Sequence, residues 1–242
     1  MEVLDAEDPL AVALVDSIRS GAVATVRQLL VERPGLAAVE VADGGGMTRT
    51  LLHIATDWPG HFPNGAAIVT ALIDAGADVN ARHTGRHPET PLHWAASSDD
   101  VEVLDALLDG GADMEADGAV IAGGTPLSDA VAFAQWNTAH RLVERGAKTP
   151  LREAAALGLA DRVQAFCADD PPTPDEINQA FWYACHGRQL TLATYLLERG
   201  ADLDWVSPWD GLTPLDAATR RQGDDVATWL LELGARRAEQ LR

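Results

Sequence analysis

Basic residues are scarce in this sequence of 242 residues. Lys and Arg together number 18 against 37 Asp and Glu, which gives a formal net charge of −19. Binding to the phosphate backbone of a nucleic acid depends on clustered Lys and Arg, and so does adsorption to anionic lipid. The composition therefore argues against nucleic-acid binding and against membrane binding. It suits a basic protein partner, a cationic ligand or simple solubility.

Cysteine and long apolar runs are also rare. Two cysteines, Cys167 and Cys185, do not make a disulfide framework, so we expect both to be reduced and to pack as small apolar side chains. The first ten residues carry four acidic side chains and lack the basic and apolar regions of a secretory signal. No apolar run reaches 18 residues, so the sequence predicts no transmembrane helix. A cytoplasmic location is the default expectation.

Catalytic motifs are missing as well. The sequence contains no Gly-x-Ser-x-Gly, no Gly-x-x-x-x-Gly-Lys and no His-Glu-x-x-His. His83 and His87 lie four residues apart in a loop, but no third metal ligand is evident beside them. We expect no cofactor and no metal. These absences disfavour an enzyme without excluding one.

What the sequence does contain is a short motif that recurs at predicted helix starts. Thr-Leu-Leu-His begins at Thr50, Thr-Pro-Leu-His at Thr90, and Thr-Pro-Leu at Thr125, Thr149 and Thr213. A second motif, Leu-x-x-Gly-Ala-Asp or a close variant, follows at a fixed distance. From Thr90, Thr125 and Thr213 the distance to the Gly of this motif is 21 residues each time, and Gln179, where the Thr is lost, lies 21 residues before Gly200. Repetition at fixed spacing indicates one supersecondary unit that is stacked many times.

The third unit shows how each repeat is expected to fold. Thr90 can cap the first helix, and Pro91 stands where a missing N–H costs nothing. Leu104 and Leu107 belong to an apolar stripe at helical spacing in the second helix. Gly111 then allows a left-handed cap. The pattern predicts a helix, a tight turn, a second helix and an extended loop.

This two-part motif resembles the ankyrin repeat over nearly the whole chain, for example at residues 90–96 and 107–113. The resemblance implies an all-α ankyrin repeat solenoid of about seven helix-turn-helix units, with short or missing β-hairpin fingers, as one array over residues 1–242. The predicted units lie near residues 10–48, 49–88, 89–123, 124–148, 149–177, 178–211 and 212–242. In proteins of this family, ligands usually meet the fingers and the concave inner face of the first helices.

Two units depart from the pattern. The second unit is five residues longer than its siblings between Thr50 and Gly76, and the added residues fall in the segment 58–65 between its helices. The loop after Gly146 reaches Thr149 in three residues, which is too short for a finger. A missing finger predicts a notch in the inner wall of the array.

Residues four, seven and eight places after each Thr share a stripe that is expected to turn toward the inner face. Aromatic side chains and carboxylates occupy this stripe, which is what a ligand or peptide groove needs. Alternatively, some of these rings fill gaps between repeats. The predicted binding residues are Trp58, Trp94, Asp129, Phe133, Glu153, Tyr183 and His186.

Asp129 and Glu153 occupy equivalent places on helices that should pack roughly 8–10 Å apart. Such a pair can hold a cation or divide general acid and base roles, and it can also be two solvated acids. Asp129, Glu153 and His186 are the catalytic candidates if there is catalysis. The family resemblance implies that His53 and His93, which follow the Thr, hydrogen-bond neighbouring loops.

The last predicted finger, residues 204–210, carries Trp205 and Trp209. These rings form an interaction site if they are exposed, or a clamp if they fold back on the last units. We expect a monomeric, non-catalytic module that binds a protein or peptide partner through its concave face, and the acidic composition is compatible with a basic partner. The alternative is a small-molecule binder or an unusual enzyme built on the aromatic groove and the Asp–Glu pair.

Overall fold

The computed structural model describes residues 2–42, 45–121, 123–169, 171–220 and 225–242. Within these residues there are fourteen α-helices in seven consecutive pairs, two short 3-10 helices and one small sheet. The chain divides into two compact units, Met1–Ala147 and Lys148–Arg242. The all-α fold class that the sequence predicts is confirmed.

The first unit contains four helix pairs. Their helices are α1 (Pro9–Arg19), α2 (Val23–Glu32), α3 (Leu51–Ala55), α4 (Gly65–Asp74), α5 (Pro91–Ser97), α6 (Val101–Asp109), α7 (Pro126–Ala132) and α8 (Trp136–Glu144). The first helices of the pairs, α1, α3, α5 and α7, pack side by side, and the second helices, α2, α4, α6 and α8, form another row. Ala95 and Ala130 of the first helices are fully buried, and their small side chains allow neighbouring helices to approach closely.

The second unit contains three helix pairs. Their helices are α9 (Leu151–Ala156), α10 (Ala160–Asp169), α11 (Pro174–His186), α12 (Leu190–Leu197), α13 (Pro214–Thr219) and α14 (Asp225–Glu232). Helix α11 packs on α9, α12 and α13, and it lies at the centre of this unit. Phe181, Leu196 and Leu230 are fully buried in the core that these helices enclose.

The recurring Thr residues begin helices as the sequence predicts, with one exception. Thr90 caps α5 together with His93, and Thr213 caps α13 together with Asp216, which accepts a hydrogen bond from the Thr213 backbone N–H at 3.2 Å. Thr149 does not cap α9, because the residue before that helix is Pro150. The Thr149 hydroxyl instead accepts a hydrogen bond from Arg162 at 2.7 Å.

Helix α11 begins earlier than the repeat spacing predicts. The fixed spacing puts the Thr place at Gln179, but the helix starts at Pro174. Thr173 caps it in a reciprocal pair with Glu176, whose carboxylate accepts the Thr173 backbone N–H at 2.8 Å. The predicted boundary between residues 177 and 178 therefore falls inside α11. The division of the chain into seven repeats stays a prediction.

The small sheet joins the N-terminal segment to the first finger. Strands β2 (Glu40–Ala42) and β3 (Thr48–Thr50) pair antiparallel as a hairpin, with Glu40 opposite Thr50. Strand β1 (Val3–Leu4) pairs in parallel with β2, and Leu4 is buried by this pairing. Strand β1 lies outside a finger hairpin, so it corrects the expectation that strands occur only in such hairpins. It forms because its pairing buries Leu4, an apolar side chain in an otherwise acidic N-terminal segment.

We predict that Leu104→Ala lowers the free energy of unfolding by about 2–5 kcal/mol, because it leaves a cavity in a fully buried part of α6. Val31→Ala on α2 should change it by less than about 0.5 kcal/mol, since Val31 is 80% exposed. Urea denaturation monitored by circular dichroism measures both variants. Equal losses for the two variants would contradict the packing described here.

Candidate functional site

Trp94 on α5 is the first predicted inner-face residue that the structure places in a polar network. Its indole Nε1 donates a hydrogen bond to Glu89 Oε2 at 3.3 Å. The half-buried ring packs edge-on against His53, with centroids 4.9 Å apart, and against His83 at 5.2 Å. Trp94 therefore partly fills the space between successive repeats, and one side of it stays open to solvent.

Asp129 on α7 is fully buried and faces the carboxyl group of Glu89. Its Oδ1 accepts a hydrogen bond from the Val120 backbone N–H at 3.2 Å. Its Oδ2 is buried and has no hydrogen-bond partner within 3.5 Å in the described part of the chain. Two carboxyl groups that meet out of water cannot both ionise cheaply.

The acid pair therefore titrates far from the usual range of carboxyl groups. Burial, together with the neighbouring Glu89 charge, raises the pKa of Asp129 to about 8. Burial also raises the pKa of Glu89. At neutral pH the pair holds a proton, and this proton allows two acidic side chains to lie together in the interior.

Glu89 was missed by the sequence reasoning, which paired Asp129 with Glu153. Glu153 belongs to the second unit, where it is fully buried and its Oε1 accepts a hydrogen bond from Arg152 Nε at 2.9 Å. The predicted Asp129–Glu153 pair stays a prediction. The signal for Glu89 was its place directly before Thr90, at the base of the loop that precedes a first helix.

Trp58 and Phe133 are the predicted binding residues that the first unit exposes most. Trp58, in the inserted segment between α3 and α4, is 78% exposed. Phe133, at the C-terminal end of α7, is 43% exposed. Both are large apolar rings in contact with solvent, and so both are available to a partner.

The rest of the inserted segment is tied to neighbouring turns. The His61 backbone N–H donates to Asp100 Oδ2 at 2.7 Å, and His61 Nε2 lies 3.1 Å from the Ser98 carbonyl oxygen. Asn64 Nδ2 donates to the Gly21 carbonyl at 3.0 Å. The insertion therefore links the turns of the first and third helix pairs, and His61 has a structural role there.

His53 and His93 tether loops, as the family resemblance implies. His53 Nε2 donates to the carbonyl oxygen of Glu89 at 3.1 Å, because a carbonyl can only accept, and its Nδ1 lies 2.8 Å from the Thr50 hydroxyl. His93 Nε2 makes the equivalent contact to the Gly124 carbonyl at 3.4 Å. Burial lowers the pKa of both imidazoles to about 4, so both are neutral at physiological pH.

His83 takes part in the same packing. Its Nδ1 accepts the Gly85 backbone N–H at 3.2 Å, and its ring contacts Trp94. Among the residues that the structure describes, no group of three or more His, Cys, Asp or Glu side chains is arranged to hold a metal ion.

The second unit contains a cluster of rings, here called the Trp209 cluster, that consists of Trp182, Tyr183, His186, Trp205 and Trp209. Trp209 packs edge-on against Trp182 and Tyr183, with centroids 5.2 and 5.6 Å apart. His186 stacks on Trp182 at 5.4 Å, and Trp205 contacts Trp209 at 5.5 Å. Trp209 is therefore the clamp of the last finger, and Trp205 packs on Trp209.

Two cations border the Trp209 cluster. The guanidinium of Arg220 lies 5.5 Å from the centre of the Trp182 ring, and that of Arg152 lies 5.7 Å from the Tyr183 ring. Arg220 also forms an ion pair with Asp210 of the finger. Tyr183 is only 5% exposed, and this burial raises the pKa of its hydroxyl to about 12. Tyr183 therefore supports the cluster from within and contributes little of its surface.

Backbone hydrogen bonds hold the finger that carries Trp205 and Trp209. The Ser207 N–H donates to the Leu212 carbonyl at 3.0 Å, and the Leu212 N–H donates to the Ser207 hydroxyl at 3.3 Å. Trp182 Nε1 donates to the same Leu212 carbonyl at 3.2 Å. These hydrogen bonds hold in place the finger that carries Trp205. Sequence reasoning missed Trp182, although it directly precedes the predicted Tyr183.

We predict that the free energy of unfolding falls as pH rises from 7 to 8, by at most about 1.4 kcal/mol per pH unit for one proton. The folded chain keeps a proton on Asp129 up to its pKa of about 8, whereas the unfolded chain loses it near 3.8, so the folded state binds more protons at this site. His53 and His93 act in the opposite direction near pH 6.5, because the unfolded chain still binds protons on them and the folded chain does not. The window therefore starts above the pH at which they titrate in the unfolded chain.

Asp129→Asn removes this proton uptake and should flatten the decline, whereas Asp161→Asn, at an exposed position of α10, should not. Denaturant titrations at several pH values measure the slope. An unchanged slope in Asp129→Asn would show that the acid pair does not cause it.

Comparison with known proteins identifies the repeats. Residues 62–153 match the family model described as ankyrin repeats in three copies. Over 186 residues the chain is 31% identical to an ankyrin repeat and KH domain-containing protein of Caenorhabditis briggsae, an alignment that covers 73% of this chain and 7% of that protein. Over 241 residues it is 28% identical to palmitoyltransferase AKR1 of Lachancea kluyveri, covering 97% of this chain and 28% of that protein. The chain thus spans less than a third of either relative.

A solved structure supports the same fold. The human ASB11 ankyrin repeat domain matches with a TM-score of 0.54 at 19% identity, over 90% of this chain and 96% of that domain. The longest helix of the described ranges has 13 residues, and none is long and apolar enough to cross a bilayer. Ankyrin repeats generally mediate protein–protein interaction. The recurring motif, the family match and the fold agree: this chain is an ankyrin repeat protein.

Proposed function

We propose that this chain is a monomeric, cytoplasmic, non-catalytic module that binds a protein or peptide partner through the concave face of its first helices and fingers. The observation that carries the proposal is the Trp209 cluster. It combines Trp and Tyr side chains and is bordered by two Arg side chains, and these residue types dominate binding energy at protein interfaces. Its outer members Trp205, Trp209 and His186 are half-buried, so they retain surface for a partner.

Rigidity adds to this argument. Trp209 is held by Trp182 and Tyr183, and the finger is fixed by hydrogen bonds between Ser207 and Leu212. A partner that packs on Trp205 therefore loses little free energy to ordering the finger. Preorganised aromatic surface of this kind favours recognition of a folded partner or a short peptide.

The carboxyl groups proposed for catalysis are poorly placed for it. Asp129 and Glu153 are both fully buried, and each has its own partner, Val120 for one and Arg152 for the other. A general acid or base must reach the proton that it transfers. Their burial supports the non-catalytic function over an enzyme.

The net charge guides the choice of partner. A chain with a charge of −19 attracts basic proteins over long range and repels nucleic acid. The exposed rings of Trp58 and Phe133 can add apolar contacts in the first unit. We therefore propose a partner with a basic surface and an apolar segment.

We predict that Trp205→Ala weakens binding of a selected peptide by about 2 kcal/mol or more, because Trp205 is a half-buried ring that keeps surface for a partner. The peptide is obtained by selecting a random phage-displayed library on the whole chain, and its affinity is measured by calorimetry. Leu231→Ala is the control, since Leu231 is 58% exposed on α14, a second helix. Loss of binding with Leu231→Ala but not with Trp205→Ala would place the interaction on the outer face.

A further inference from the structure

Two adjoining cavities open along the seam between α4 and α6, the second helices of neighbouring pairs. One, of about 470 Å³, lies between the inserted segment and the N-terminal end of α6. The other, of about 420 Å³, lies between α4 and the C-terminal part of α6. Ala66 and Glu102 line both cavities, so the two form one continuous depression, here called the outer groove.

The next seam, between α6 and α8, shows one way in which this position is filled. Arg141 Nε lies 2.9 Å from Asp105, and Arg145 reaches Asp105 at 2.7 Å and Asp109 at 2.6 Å. Two arginines of α8, four residues apart, thus bridge to two carboxylates of α6. Ion pairs close that seam.

The equivalent side chains are different at the outer groove. The capping glycines Gly76, Gly111 and Gly146 are 35 residues apart, so a shift of 35 relates one seam to the next. By this shift Ala106 stands in the place of Arg141, and Gly110 stands in the place of Arg145. Asp74 remains as the equivalent of Asp109, and Thr70 is the equivalent of Asp105. All four of these residues line the groove.

The missing arginines leave acidic side chains without counter-charges. Six of the described residues that line the groove are Asp or Glu, and none of them is Lys or Arg. Asp74 and Glu102 are exposed on opposite sides, and in the described ranges neither has a hydrogen-bond or ion-pair partner. Asp105 and Asp109 already pair with α8, so Asp74 and Glu102 are the acids that a partner can neutralise.

The chain cannot supply the second arginine itself without rearrangement. A Cβ atom at Gly110 would lie 2.6 Å from Ile73 Cδ1, closer than side-chain carbons approach. Because Ile73 Cδ1 is the end of a flexible side chain, any residue larger than glycine at this place requires Ile73 to turn aside.

We propose that the outer groove binds a basic helix of a partner protein, whose two arginines four residues apart take the places that Arg141 and Arg145 fill in the next seam. The nine residues of α6 make the groove about 14 Å long, which suits two to three turns of helix. Ala66, Ala106 and Ile73 supply apolar contact for the face of the helix between the arginines. This surface is separate from the Trp209 cluster.

The test is a titration of the isotope-labelled whole chain by NMR with a synthetic alanine-based helix of about 12 residues, carrying two arginines four residues apart. A peptide with glutamine in place of both arginines is the control ligand. Binding should shift the amide signals of Ile73 and Ala106, and it should be lost with the glutamine peptide.

Variants of the chain locate the interaction. Asp74→Asn and Thr70→Trp should each weaken binding at least about tenfold, the first by removing the counter-charge and the second by filling the groove. Ala67→Trp, on the exposed side of the same helix, and Asp161→Asn, which matches the charge change, should alter it less than about twofold. Equal loss with Asp74→Asn and Asp161→Asn, or no binding at all, would overturn the proposal. Trp205→Ala should leave this binding unchanged. A failure of the outer-groove proposal can therefore be distinguished from a failure of the proposed function.

Discussion

One hydrogen bond organises these repeats: the side chain three places after the recurring Thr place, which is Gln179 in the sixth repeat, donates to the carbonyl that ends the next loop. His53 donates to the carbonyl of Glu89 and His93 contacts that of Gly124. In the second unit Trp182 makes the same contact to Leu212, directly before Thr213. A carbonyl left without a donor in the interior would cost about 1–3 kcal/mol, so these three contacts help to fix where α5, α7 and α13 begin.

The acid pair depends on this tether. Because His53 holds the backbone of Glu89, the Glu89 carboxyl can accept from Trp94 and meet Asp129. Asp129 on α7 in turn accepts a hydrogen bond from Val120, in the loop that leads to α7. A neutral imidazole and a protonated carboxyl group therefore stabilise this part of a chain whose other acids lie mostly in water. The same tether in the second unit, made by an indole, leaves a large ring for Trp209 to pack on.

Much of the fold was predictable because it is local. Threonine caps and apolar stripes are read within a few residues, and the histidine tethers follow from the family motif. The partner of Asp129 was not predictable, because it depends on the path of the loop that carries Glu89. The burial of Tyr183 depends in a similar way on a contact distant in sequence, because the finger that carries Trp209 folds back on it.

The seams between the second helices are stabilised differently from the inner face. Surface ion pairs such as that of Arg145 with Asp109 contribute only about 0–1 kcal/mol, so a repeat can lose them without unfolding. The core of α6, with Leu104 and Leu107 fully buried, is independent of what stands at Ala106 on its outer side. Replacement of an arginine by a small residue at this place therefore exposes a groove and an uncompensated acid at little cost in stability. An array in which each seam is stabilised separately can in this way gain a second interaction surface while its inner face stays unchanged.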